Sequence, residues 1–238
     1  MGNKKGIMPW NRGKTRFTDL RVKKISDTFK RKRIDNFFEW RANARLTEKI
    51  PNSSKKLEKS KELAVLIGLI LGDGNIYKFP RTECLRITLG TDKPPLALYA
   101  VLLIEKIFVK TPSLIKRSNS NCYNVTIYQN NLSRRLEIPT GARGKLNIKL
   151  PLWVWNKKSY LVSILKGLFE AEASYCVHNN TYTYNFEFSN RNCSLLDEVE
   201  KGLIILGFHP ERRRYSVRLR KKKEATEFYD LIRFRTYP

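Results

Sequence analysis

Beyond residue 60 the chain alternates between apolar stretches of helical length and short segments of period-two alternation. Residues 63–71 form an apolar run that ends in Gly72-Asp73-Gly74, and a second apolar segment, 160–169, ends in Glu170-Ala171-Glu172-Ala173. The same series follows each. Two strand-like stretches come first, 75–78 with 85–89 and 174–178 with 182–189. An apolar helix is next, 95–108 or 193–206, then a second strand pair, 114–117 with 124–128 and 212–214 with 216–220. A short helix closes each series, 130–136 or 222–232. Asp73 and Glu172 are 99 positions apart, a period that means a duplicated domain rather than a solenoid. Between the copies, residues 138–158 carry Pro139, Gly141, Gly144 and Pro151, which is linker chemistry, with Trp153 and Trp155 expected to pack back onto a core.

The first sixty residues differ. Residues 9–14 read as a turn anchored by Trp10, and Val22, Ile25 and Phe29 recur at helical spacing among basic residues. A second helix is expected over 34–44, before a breaker at 51–54. Such short helices bury little, so this arm is expected to order fully on a partner. The expected divisions are 1–57, a basic extension; 58–137, the first half; 138–158, the linker; and 159–238, the second half.

Charge narrows the function. Forty-seven Lys and Arg against 22 Asp and Glu leave a formal +25, a self-repulsion that a polyanion would relieve. A membrane surface is the weaker option, because the run 63–71 is about half of what a spanning helix needs. The opening residues lack a signal-peptide core, and Asp19, Asp27, Asp35 and Glu39 count against a transit peptide. Cys84, Cys122, Cys176 and Cys193 form no C-x-x-C pair, so they read as reduced, mostly buried thiols. His178 and His209 are too far apart for a local ligand pair and read as strand or loop residues.

Glycine placement carries the chemistry. The first apolar helix has little amphipathicity and is expected to be buried on all sides, yet it contains Gly68, which costs about 1 kcal/mol against Ala. Gly167 stands five residues before Glu172 as Gly68 stands five before Asp73. Two helices crossing along these glycines would bring their terminal carboxylates together, a divalent-metal site facing phosphates.

Residues 66–74 and 165–173 both resemble the LAGLIDADG nonapeptide of homing endonucleases, and 148–153 resembles the usual approach to the second copy. The resemblance covers about residues 60–238. Residues 9–14 and 21–26 resemble the nuclease-associated modular DNA-binding motif. The resemblance implies an α+β fold, a pseudo-twofold duplicated αββαββα unit with a DNA-binding saddle of two antiparallel sheets, plus a small helical N-terminal arm. It implies a monomeric, metal-dependent enzyme, free-standing or intron-encoded, that cleaves double-stranded DNA across the minor groove and leaves 3′ overhangs. Mg2+ or Mn2+ would serve cleavage, with Ca2+ supporting binding alone. Asp73 and Glu172 would bind metal, assisted by the carbonyls of Gly72 and Ala171. A cytoplasmic or nucleoid location is expected, with an organelle as the alternative.

Around these acids the resemblance assigns an amide role to Asn190, aligned with Leu89 or Gly90 in the first half, and a basic role on the last strand to Lys221, with Gln129 in the corresponding place. Ala173, in place of the final motif glycine, is expected to tighten the turn after Glu172. Candidate groove contacts are Arg81, Arg86, Lys116 and Arg117 in the first half and Tyr182, Tyr184, Arg212, Arg214, Arg218 and Arg220 in the second. In the arm they are Arg12, Lys14, Arg21, Lys23 and Lys24. Competing readings are an intron-RNA maturase on this fold, a non-cleaving DNA-binding protein and a basic RNA-associated structural protein; paired acids count against all three.

Overall fold

Each apolar run becomes a helix that turns directly into a strand. In a computed structural model, which describes residues 8–47, 56–142, 144, 146–178 and 183–237, the chain divides into two compact units, Met1–Asn52 and Ser53–Pro238.

In the first unit, Asp19 caps helix α1 (Leu20–Arg31) by accepting the N–H groups of Arg21 and Val22. Helix α2 is Phe38–Leu46, later than the expected 34–44. Asp35 is the reason: its side chain accepts the Phe37 N–H and its carbonyl the Phe38 N–H, so residues 35–38 turn before the helix starts.

The second unit contains the repeat. Ser60 caps α3 (Lys61–Asp73), which runs into β1 (Gly74–Lys78), β2 (Glu83–Gly90), α4 (Pro94–Phe108), β3 (Ser113–Lys116), β4 (Cys122–Gln129) and α5 (Leu132–Leu136). The second copy is α6 (Lys158–Glu172), β5 (Ala173–His178), β6 (Thr183–Ser189), α7 (Cys193–Ile205), β7 (Glu211–Arg213), β8 (Ser216–Leu219) and α8 (Lys222–Ile232). Both sheets are antiparallel and share one order, β1-β2-β4-β3 and β5-β6-β8-β7.

One face of each sheet packs on the helices. Leu85, Ile87, Val125 and Ile127 are buried in the first half, Phe186, Phe188, Val217 and Leu219 in the second. The second core is aromatic: Phe169 packs edge-on against Phe186 and Phe228, each at 4.9 Å between ring centroids. The linker is part of this core. Ile138, Ile148, Leu150 and Trp153 are buried, and the Ile148 and Leu150 N–H groups donate to Ser194 Oγ and Glu198 Oε2 of α7.

The cysteines are unpaired but, against expectation, not mostly buried. Only Cys84 is buried; Cys176 lies on the outward face of β5 and Cys193 at the solvent-exposed start of α7. Among the described residues, no helix is long and apolar enough to cross a membrane.

Candidate functional site

The site begins with α3 and α6, which make the unit's most extensive helix contact. Residues 63–71 are all buried, as a helix without a polar face requires. A Cβ on Gly68 would lie 2.3 Å from the Ile164 carbonyl oxygen, and one on Gly167 2.1 Å from that of Val65. The two backbones therefore touch where only hydrogen can stand. At the C-terminal ends the approach continues: a Cβ on Gly72 would be 2.4 Å from Ala171 Cβ and 3.3 Å from Glu172 Cγ. Asp73 and Glu172 end these two helices, each partly buried.

Helix C-termini carry partial negative charge, and two carboxylates and the carbonyls preceding them, where these helix ends approach, are hard oxygen donors. Among the described residues, no group of three or more His, Cys, Asp or Glu is arranged to hold a metal. Two carboxylates are nevertheless a donor set that suits Mg2+, which keeps waters and binds phosphate oxygens at its other positions.

The second acid has a side-chain amide beside it. Asn190 Nδ2 donates to Glu172 Oε1 at 3.2 Å, and the Asn190 N–H is fixed by the Tyr215 carbonyl at 2.9 Å. In the first half the equivalent is Leu89: Gly74 pairs with Ile87 as Ala173 pairs with Phe188, and Leu89 stands two residues past Ile87 as Asn190 stands two past Phe188. β2 runs further than β6, so Leu89 is still within its strand, paired with Tyr123 where Asn190 meets Tyr215, and its side chain enters the core. Ala173 does not tighten the turn. It leaves its helix in the same extended conformation as Gly74, φ −95° against −106°, with the same return bond to the carbonyl four residues back.

Strand register moves two other candidates away. Ala173 pairs with Phe188, and Phe188 with Val217, so the centre faces the start of β8. Lys221 lies four residues beyond Val217, about 13 Å along the strand, where it pairs with Glu224 at 3.1 Å. Gln129 is opposite Glu83, at the far end of β4, and accepts from Arg135 at 2.9 Å. Basic groups on the near side come instead from turns. Arg191 follows Asn190, and Arg214 precedes Tyr215; Arg117 occupies the matching turn of the first half. A cavity of about 220 Å³ joins Gly72, Asn75, Gly141, Asn190, Arg191 and Asn192. Asn75 Oδ1, buried there, has no hydrogen-bond partner among the described residues. Motif reading passed over Arg191 and Asn75, although each adjoins a motif residue.

The same register sorts the groove candidates. Arg86 and Arg218 stand on the faces turned away from the helices, opposite Asn75 and Glu187 respectively. Arg218 is gripped there by Glu211 through two bonds of 2.9 and 3.0 Å. Arg220, just past β8, is exposed, and Arg81 lies in the β1–β2 turn. Three residues face the other way. Arg212 is bound to Asp197 at 3.0 Å and to Glu200 at 3.6 Å on α7, Tyr184 packs on the core, and Lys116 pairs with the core-packed Tyr123. Each has the parity of its buried neighbours, which composition alone does not reveal. Tyr182 is outside the described residues.

In the N-terminal unit, Trp10 is flanked by Lys14 and Arg21, at 5.6 and 5.0 Å from its ring, and both also meet Asp19. Burial opposes ionisation of Asp19, yet the Arg21 and Val22 N–H groups and the two cations bring its pKa to about 2. Arg12 donates its N–H to the Pro9 carbonyl in a turn, and Lys23 and Lys24 are exposed on α1.

Two crossed glycine-notched helices carrying a four-stranded sheet on each side define a LAGLIDADG-type fold. Among solved structures the chain is similar to the homing endonuclease I-DmoI in its mesophilic variants, with TM-score 0.51 and 20% identity over 72% of this chain and 94% of that one. I-DmoI in complex with DNA and manganese gives TM-score 0.51 and 18% identity over 72% and 96%. Full-length WhiA from Thermatoga maritima gives TM-score 0.51 and 17% identity, over 76% of this chain but 58% of WhiA. Compared by sequence, the chain matches no protein-family model and no curated protein.

Proposed function

We propose that the chain is a divalent-cation-dependent endonuclease acting on double-stranded DNA. The observation that carries this reading is the meeting of the Gly72-Asp73 and Ala171-Glu172 helix ends between two antiparallel sheets. A LAGLIDADG-type fold alone does not select cleavage, because I-DmoI and WhiA share it. Acids kept at both helix ends do favour it, since a purely binding surface gains nothing from carboxylates aimed at phosphates.

Asp73 and Glu172, with the Gly72 and Ala171 carbonyls, would hold Mg2+ or Mn2+. Bound there, the cation supplies Lewis-acid stabilisation to the phosphodiester being cut. Asn190 orients the Glu172 carboxylate, and Arg191, Arg214 and Arg117 neutralise phosphate charge beside the acids. Arg86 and Arg218 present guanidinium groups to base edges, while exposed cations on the N-terminal unit extend the phosphate contacts. Each phosphate neutralised should add about 0.9 to the slope of log affinity against log salt.

The test is a selection of bound duplexes from a randomised library in Ca2+, followed by cleavage of the winners in Mg2+. Cleavage by the unaltered chain, its loss in Glu172→Gln and retained affinity in that variant are the expected results. Binding without any cleavage in Mg2+ or Mn2+ would leave the non-cleaving reading. Selection of folded RNA over duplex would leave the maturase reading.

A further inference from the structure

The two outward sheet faces differ in chemistry, and that difference has no role in phosphodiester hydrolysis. Across the second sheet runs a polar row, Ser174–Glu187–Arg218–Glu211. The corresponding rows of the first sheet hold no carboxylate, and the outer one is Tyr77–Cys84–Tyr128. Just beyond, Phe79 lies 6.3 Å from Tyr128 between ring centroids. Tyr77, Phe79 and Tyr128 are 46, 47 and 50% exposed, a concentration of open aromatic surface that soluble proteins keep for binding. Phe79, Pro80, Arg81, Thr82 and Tyr128 line a cavity of about 480 Å³.

Hydrogen bonds anchor this cluster, and cations border it. The Phe79 N–H donates to the Thr82 carbonyl at 2.8 Å, closing a turn whose second residue, Pro80, is already set for it. Lys110 Nζ holds the Tyr128 carbonyl at 2.6 Å, and the Arg86 guanidinium lies 5.9 Å from the Tyr77 ring. Apolar rings inside a cationic rim match a surface that is anionic at its edges and apolar within. The DNA major groove has that character where it carries the C5 methyl of thymine. The ring separation of 6.3 Å is close to two base-pair steps, about 6.8 Å.

Resting on the duplex-DNA reading above, we infer that the outer end of the first sheet, Tyr77, Phe79 and Tyr128, reads thymine methyl groups in one arm of the target. The two arms are then read by unlike chemistry, apolar contact in one and hydrogen bonding by Arg218 and its neighbours in the other.

Uracil substitution isolates the methyl. With the full chain, Ca2+ and a duplex selected from a randomised library, thymines of each arm are replaced in turn by uracil and affinity is measured. The expected result is a loss of about fourfold per contacted methyl, confined to outer positions of one arm. Phe79→Ala and Tyr128→Ala should bind more weakly and lose that sensitivity, whereas Tyr128→Phe, which keeps the ring, should retain it. Circular dichroism and urea midpoints establish that the alanine variants fold. Tight duplex binding that ignores uracil, or an equal uracil penalty in wild type and both alanine variants, overturns this inference and leaves the nuclease reading standing. Absence of any duplex binding overturns both.

Discussion

At Gly68 and Gly167 an added methyl group would meet backbone atoms within 2.4 Å, and backbone cannot step aside as a side chain can. Alanine at either position gains about 1 kcal/mol of helix propensity but overpacks a helix crossing, at up to about 3 kcal/mol. Gly68→Ala and Gly167→Ala should therefore each lower stability by about 2 kcal/mol, read as a urea midpoint about 1 M lower. An unchanged midpoint in both would mean that the helices do not cross here. This feature was legible in the sequence because a glycine in an otherwise apolar helix is a local oddity with few explanations. The places of Asp73 and Glu172 at the ends of these helices were legible for the same reason, as short-range neighbours of the glycines. Lys221 and Gln129 were misassigned because their distance from the acids depends on strand register, which no local pattern contains.

Helix α6 carries an acid that α3 lacks: Glu170 stands where the first motif has Leu71. Only 2% exposed, Glu170 accepts the Arg235 N–H and the Tyr237 hydroxyl, while Lys166 donates to the Arg233 and Thr236 carbonyls at 3.0 and 2.8 Å. Tyr237 in turn stacks on Tyr99 of α4 at 5.4 Å, so this clamp ties the second half to the first. Burial raises the Glu170 pKa above its ordinary 4.5, more than the Tyr237 and Arg235 hydrogen bonds lower it. The folded chain then holds its proton longer than the unfolded one. Its penalty is absent below about pH 4.5, grows as pH rises from there towards the folded value, and is constant above it. Glu170→Gln lacks that penalty, so its stability relative to wild type should improve as pH rises above about 4.5 and level off once the folded value is passed. Parallel urea midpoints across that range would sink the idea. The helices and strands themselves were readable from periodicity to within a few residues. Their faces were less so: Tyr184 and Arg212 point at the helices because each shares the parity of a buried neighbour.

Across the whole second unit the two halves share a fold but not a lining. Aliphatic side chains fill one core and phenylalanines the other, so the duplication was visible as a repeated order of elements rather than as repeated residues. The same divergence reaches the acids. Glu172 is steadied by Asn190 at 3.2 Å, and strand register puts the buried, apolar Leu89 at the matching place of the first half. A hydrogen bond to a charged group is worth about 1.5–3 kcal/mol, enough for roughly tenfold in rate if it holds the carboxylate where the reaction needs it. Under the endonuclease reading, the two strands of a selected duplex should be cut at unequal rates, with nicked intermediate accumulating. Asn190→Ala should slow the faster cut by about tenfold and bring the two rates together. End-labelling each strand separately in one time course gives both numbers. Equal rates in wild type would show that the difference between Asn190 and Leu89 does not reach the chemistry.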